Sequence, residues 1–352
     1  MQPDLRIAII LFNLGGPDSL DAVRPFLRNL FGDPAIVRLP NPLRAFLAQM
    51  LSRKRAPIAR RIYAEMGGAS PILPNTLDQA RALETALSDL GQVRAFPVMR
   101  YWHPRAEDVL HQVLQFAPKR LIELPLYPQF STTTTASSMK EWDKVAGRTG
   151  LKNLPTHKIC CYPDEIGFID ELAKRIVPSL DEAQASGRPR LLLSAHGLPE
   201  KIVAAGDPYP WQVERTAEAL RNRLDRDDYD LVVCYQSRVG PLKWIGPATA
   251  DEVARAGRDK RPVVLAPIAF VSEHSETLVE LDIELAAEAK TAGVPLYLRA
   301  PTVDAGDSFI EGLARLVRNA LGWGPGLRPS TGARLCGADR IGCPYRDIAV
   351  KT

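Results

Sequence analysis

No stretch of the chain reaches the roughly 18 consecutive apolar residues that a membrane-crossing helix requires. The opening Met1-Gln2-Pro3-Asp4-Leu5-Arg6 has neither a basic n-region nor a long apolar core, so the expectation is a cytoplasmic protein. An excess of one charge is also missing: 45 basic residues stand against 41 acidic ones, a net of +4. The basic residues are spread among acidic ones without interleaved aromatics, which argues against nucleic-acid binding. Cysteine is scarce, at 5 in 352 residues, and in a cytosolic chain disulfides are not expected. There is no low-complexity segment. Gly-x-Gly-x-x-Gly is absent, so Gly15-Gly16 does not read as a dinucleotide loop. Gly-x-Ser-x-Gly is absent too, so a nucleophilic serine is not expected.

What is present is a succession of apolar, β-branched runs alternating with helical patterns: Ile7 to Phe12, Val93 to Met99, Leu121 to Leu126, Lys158 to Cys161, Leu191 to Ser194, Leu231 to Cys234, Val263 to Phe270 and Leu296 to Arg299. That order predicts an α/β fold. The length suits two domains, and the Gly/Lys-rich stretch Ala146–Pro155 is the expected boundary. The expectation is two doubly wound, Rossmann-like parallel-sheet domains facing a central cleft, residues 1–155 and 156–321, followed by an irregular C-terminal extension, 322–352.

Two short stretches locate the chemistry. Ser194-Ala195-His196-Gly197-Leu198-Pro199 follows one apolar run and Ser272-Glu273-His274-Ser275-Glu276 follows another, so both fall at the carboxyl ends of strands, where an α/β sheet presents its ligand crevice. His196 and Glu276 are thus expected to face one site. Glu276, Glu280 and Glu284 recur at spacing four with Asp282 between them, on a segment, Glu276 to Ala292, that reads as helix. They lack the lysine partners at i+4 that a solvated helix face would carry. Carboxylates held together raise one another's pKa and share protons or metal, so the ladder reads as a proton or cation path. His274 and Glu273 are candidates for its flanks or for orienting neighbours.

The motifs Leu11–Asp18, Gly67–Ile72, Arg100–Pro104, Leu126–Ser131, Ser194–Pro199, Gly206–Pro210, Gln236–Pro241, Trp244 with Gly246-Pro247, and Pro267–Glu284 occur in an order and spacing that resembles the ferrochelatases, which insert ferrous iron into a porphyrin to make haem. The resemblance implies insertion into protoporphyrin IX, with coproporphyrin III as the nearest alternative substrate and a non-catalytic tetrapyrrole carrier as the reading from another class. It implies that His196 and Glu276 form the catalytic metal and proton site, that Glu280 and Glu284 lie behind them, and that Leu14, Arg55, Tyr63, Ser70, Arg100, Tyr101 and Trp244 contact the porphyrin.

The chemistry calls for such a set. Two pyrrole protons must leave, a hydrated cation must lose its water, and an apolar slot must bend a flat ring. The segment Leu39–Leu51, rich in large apolar residues and followed by Arg53, Lys54, Arg55, Arg60 and Arg61, resembles the family's mouth. An apolar lip with a basic collar suits a hydrophobic substrate bearing carboxylates and could rest on the inner membrane surface. Both monomer and homodimer are left open. Some ferrochelatases hold a [2Fe-2S] cluster. The animal ligand pattern is broken here, with Thr132 at the body position, but Cys160, Cys161, Cys336 and Cys343 could supply four thiolates. Adjacent cysteines can do so only where the strand has ended. Cys234, within a strand, reads as a buried thiol.

Overall fold

A computed structural model of the protein describes residues 5–238, 242–337 and 339–345; Met1–Asp4 and the Val239, Gly240 and Pro241 of the Gln236–Pro241 motif lie outside them. The chain divides into two units. One holds the chain through Cys161 and takes back Ala314–Arg334; the other holds Tyr162–Leu313 and Leu335–Cys343.

In the first unit, β1 (Arg6–Asn13) reads RIAIILFN, and Ile7 through Phe12 are wholly inaccessible to solvent. A run that is apolar at every position, not at alternate ones, is what a parallel strand covered on both faces needs. β1 lies between β2 (Gln92–Met99) and β3 (Arg120–Pro125), in register Arg6 to Gln92 on one side and Ile7 to Arg120 on the other. β4 (Thr156–Ile159) extends the sheet beside β3, and a late strand, Gly326–Arg328, adds itself beyond β4. All pairs are parallel, so each needs a crossover, and the intervening helices supply it. One face carries Phe12, Phe96, Trp142 and Val113 in a single apolar cluster.

The second unit repeats the plan with four strands: β5 (Arg190–His196), β6 (Asp230–Gln236), β7 (Val263–Pro267) and β8 (Tyr297–Arg299), in the parallel order β6-β5-β7-β8. With these labels the late strand Gly326–Arg328 is β9, and the first sheet runs β2-β1-β3-β4-β9. Each sheet reverses its strand order once, at β1 and at β5. The crevice outside the carboxyl end of such a strand is where open α/β sheets bind ligands. Leu14 with Gly15 follows the one, and His196 ends the other.

The expected α/β plan with two parallel sheets is what the chain forms, with three local differences. The expected boundary at 155/156 would cut off β4, but Leu121 pairs with Thr156 and Glu123 with Lys158, so the unit continues to Cys161. The tail after Gly322 is not wholly irregular, because Gly326–Arg328 pairs with His157–Ile159. The run Val263–Phe270 leaves the sheet after Pro267, which frees Ile268–Glu276 to carry the candidate site residues.

Candidate active site

β5 ends on His196, and the chain leaving β7 reaches a short helix, Ser275–Leu278, that carries Glu276. The two side chains meet: His196 Nδ1 and Glu276 Oε2 are 2.8 Å apart. The carboxylate accepts from Nδ1–H, which leaves Nε2 as the ring nitrogen free to accept a proton or bind a cation. Burial works against the imidazolium, but the charge and hydrogen bond of Glu276, with the charge of Glu280, outweigh it and raise the pKa of His196 above the ordinary histidine value. Burial likewise opposes the Glu276 carboxylate, yet His196 holds it well below the usual carboxylate range. The side chains keep 38% and 26% of their surface exposed, so the pair is reachable.

Behind this pair stands Glu280. Ser237, the first residue after β6, donates its N–H to Glu280 Oε1 at 2.7 Å and its hydroxyl to Glu280 Oε2 at 2.5 Å, with Glu276 Oε2 at 3.3 Å from the same hydroxyl. Its φ is +60°, a left-handed conformation that a serine adopts only when its surroundings over-determine it, and such positions cluster at functional sites. Gln236 Nε2 donates to the Glu276 carbonyl at 2.9 Å, while its Oε1 accepts from Ser194 at 2.8 Å. Ser194 is therefore a buried support. Burial and the Glu276 charge push the Glu280 pKa up against the donors from Ser237. Gln236 and Ser237 carry no role in the sequence reading, and the signal is slight: a polar pair ending an apolar strand.

The segment expected as one helix from Glu276 to Ala292 is three pieces: Ser275–Leu278, a π-turn at Glu280–Glu284, and an α-helix at Leu285–Ala292. Glu284 N–H bonds to the Val279 carbonyl at 2.9 Å, five residues back. Such single π-turns are frequent at functional sites. Along them the carboxylates pass from the partly buried Glu276 and Glu280 to the exposed Glu284. Of the two flanking candidates, Glu273 is bound to Arg299 at 2.8 Å and to Thr302 N–H at 3.0 Å. His274 is buried, its pKa lowered by that burial, and its ring lies 4.6 Å from that of Phe270, which meets His196 edge-on at 6.5 Å. Trp244 is half-buried, 3.3 Å from the position a Cβ would take on Gly197.

In the first unit, Leu14 is half-exposed just beyond β1. Gly15 follows with φ +80°, and a Cβ there would stand 2.9 Å from Met99 Cβ and 3.2 Å from Trp102 N, so only glycine fits. Ser70 is nearly buried and its N–H bonds to the Pro17 carbonyl at 2.8 Å. Tyr63 is buried among Val23, Phe26 and Tyr101, while Arg55 is exposed on the helix Leu43–Glu65. Arg100 is heavily committed: it pairs with Asp33 at 2.8 Å and with Glu141, and its Nε donates to Ser137 at 2.8 Å. The Tyr101 hydroxyl donates to Asp33 at 2.8 Å, and burial keeps this phenol protonated. Asp33, absent from the sequence reading, organises this end of the unit.

The cysteines meet their expected geometry in part. β4 stops at Ile159, earlier than the run to Cys161 suggested, and the Cys160 and Cys161 sulfurs approach to 3.5 Å. Cys336 and Cys343 are buried in the second unit, where Gln212 Nε2 donates to Cys336 at 3.3 Å. Among the described residues, no group of three or more His, Cys, Asp or Glu side chains is arranged to hold a metal ion. Also among the described residues, no helix is long and apolar enough to cross a membrane.

The ferrochelatase family model matches residues 6–321. A ferrochelatase of Caulobacter vibrioides is 50% identical over 347 residues, covering 98% of this chain and 99% of that one. One of Pelagibacter ubique is 46% identical over 316 residues, 89% and 91% of the two chains, and one of Wolbachia pipientis 50% over 317, 90% and 99%. Among solved structures, SirB of Bacillus subtilis with Fe3+ superposes with a TM-score of 0.51 over 90% of this chain and 95% of its own, at 12% identity, a likeness of fold. Half-identity across the whole length, together with the family match, places this chain among the ferrochelatases, the enzymes of haem biosynthesis that insert ferrous iron into a porphyrin.

Proposed function

We propose that the chain makes protohaem, inserting ferrous iron into protoporphyrin IX at the His196–Glu276 pair. The observation that carries this is the 2.8 Å contact between Nδ1 and the carboxylate, because it leaves Nε2 of a fixed tautomer as a base or ligand beside a charged carboxylate. Neutral His196 accepts a pyrrole proton, Glu276 supplies the negative charge that a dehydrating cation requires, and Glu280 and Glu284 extend the acceptor set to solvent. Leu14, Arg55, Tyr63, Ser70, Arg100, Tyr101 and Trp244 are the proposed porphyrin contacts. The test of substrate is turnover on protoporphyrin IX against coproporphyrin III, which has two more propionates in place of two vinyls. The expected result is a higher kcat/KM with protoporphyrin IX, and preference for coproporphyrin III would transfer the assignment.

The helix Leu43–Glu65 supports peripheral contact of a cytoplasmic enzyme with a membrane surface. Leu43 is 59%, Phe46 72% and Met50 48% exposed, while Leu47 and Leu51 are half-buried. Exposed apolar side chains flanked by Arg53, Lys54 and Arg61 suit an anionic interface. Replacing Leu43, Phe46 and Met50 together by serine is expected to raise the porphyrin KM severalfold and to weaken sedimentation with anionic liposomes, with iron saturation unchanged. An unaltered porphyrin KM would make this face ordinary surface.

A [2Fe-2S] cluster on Cys160, Cys161, Cys336 and Cys343 is the proposed role of those thiols, supported by the burial of all four and the approach of the first two sulfurs. Anaerobically purified protein is then expected to be reddish brown, with about two moles each of iron and acid-labile sulfide per chain. Cys234→Ser should keep the colour. Colourless, sulfide-free protein would reduce these residues to packing.

A further inference from the structure

We propose that Arg299 is a positioning residue for metallation: from the edge strand β8 it clamps the π-turn to the segment that carries His274 and leads into the short helix of Glu276, and so sets where Glu276 and Glu280 stand. The guanidinium makes a two-pronged pair with Asp282 of the π-turn, Nε to Oδ1 at 2.5 Å and Nη2 to Oδ2 at 2.7 Å. Its third nitrogen, Nη1, donates to Glu273 Oε1 at 2.8 Å. That same oxygen accepts from Thr302 N–H at 3.0 Å, so the far end of the clamp is fastened to backbone. Two residues earlier on the same face of β8, the Tyr297 hydroxyl donates to the Leu281 carbonyl at 2.8 Å. A π-turn is rarely the intrinsic preference of a sequence, and Glu-Leu-Asp-Ile-Glu has no helix breaker. The five-residue turn is therefore held by its neighbours. Arg299 and Tyr297 grip its side-chain and carbonyl faces, and Ser237 grips Glu280 from β6.

Only 11% of the Arg299 side chain is exposed, and both of its carboxylate partners lie beside residues of the site: Glu273 adjoins His274, and Asp282 is two residues from Glu280. Arg299 reaches none of the reacting groups itself; its action passes through the two backbone segments it joins. A lysine could not reproduce it, because a point charge cannot satisfy a two-pronged carboxylate and a second acid in fixed directions.

The proposal rests on the His196–Glu276 reading of the site, and the experiment separates the two. Arg299→Gln and Asp282→Asn are each expected to lower kcat for ferrous iron insertion about 10- to 100-fold, the usual cost of losing a group that orients ligands, and to raise the KM for iron while the porphyrin KM stays within about twofold. Combined, they should cost no more than the worse of the two, since both break one clamp. Arg299→Lys should not restore activity. Asp282 is 33% exposed, so Asp282→Asn carries the test if Arg299→Gln does not fold. Folded variants with parental kcat and iron KM would overturn the clamp. So would additive losses, or a loss confined to the porphyrin KM. Glu276→Gln is run alongside: if it too retains turnover, the site reading fails, whereas if it alone is inactive, only the role of Arg299 is lost.

Discussion

His196→Ala abolishes iron insertion and leaves porphyrin bound: turnover is expected to fall by at least about 100-fold, roughly 2.7 kcal/mol in barrier, while the porphyrin dissociation constant, read by fluorescence quenching, changes by less than about threefold. The separation follows from the proposed division of labour, in which apolar contact and propionate pairing hold the ring while the imidazole acts on the proton and the cation. Turnover above about a tenth of the parent would take His196 out of the mechanism. Glu276→Gln keeps the shape, removes the charge, and is expected to be similarly inactive. It also has a readout independent of turnover. Glu276 raises the His196 pKa, so its loss must move the imidazole titration, followed by NMR, to lower pH. The linkage has matching signs. A raised histidine stabilises the fold below its unfolded value of about 6.5 and loses that contribution as pH rises through the folded value; a lowered glutamate contributes above about 4.5 and loses it as pH falls. The pair thus stabilises most between those values, and Glu276→Gln should flatten the parent's stability maximum there.

Much of this arrangement is legible in the sequence, because short apolar, β-branched runs alternating with helical patterns read as the buried strands of a parallel sheet, and His196 and Glu276 follow two of them. What escapes reading does so for identifiable reasons. The strand Thr156–Ile159 begins two residues before the expected run from Lys158, because Thr156, His157 and Lys158 make three polar residues in four, and Lys158 is accommodated there by its pair with the buried Glu123 at 3.1 Å. Gly326–Arg328 is too short to show a period and gains its hydrogen bonds from β4. Glutamates at spacing four fit an α-helix as well as any pattern can, and the contacts that grip the π-turn come from Arg299, Tyr297 and Ser237, which lie 17 residues on from Asp282, 16 on from Leu281 and 43 before Glu280. Asp33 escaped for the same reason: its partners Arg100 and Ser137 are 67 and 104 positions away.

Asp33→Ala is expected to be the most damaging single change in the first unit. The carboxylate is 3% exposed, and it accepts from Arg100 and the Tyr101 hydroxyl at 2.8 Å each and from the Ser137 hydroxyl at 2.5 Å through one oxygen, and from Ala35 N–H at 2.8 Å through the other. Alanine leaves the guanidinium, 13% exposed, with Glu141 as its remaining acid, and leaves a buried phenol and a buried serine without their acceptor. Removing one partner of a buried, hydrogen-bonded ion pair costs about 3–5 kcal/mol. Because Glu141 retains part of the charge balance, the lower end, about 3 kcal/mol, is expected in urea unfolding. Asp33→Asn preserves the shape and one acceptor oxygen and should lose less. The same substitution reaches function if Arg100 and Tyr101 line the porphyrin slot. Released from Asp33, they no longer hold one conformation, and the porphyrin KM rises while the iron KM does not, the reverse of the pattern expected for Arg299. A loss of stability below about 1 kcal/mol would mean that Glu141 alone satisfies Arg100. An unchanged porphyrin KM in a folded variant would take Arg100 and Tyr101 out of the slot.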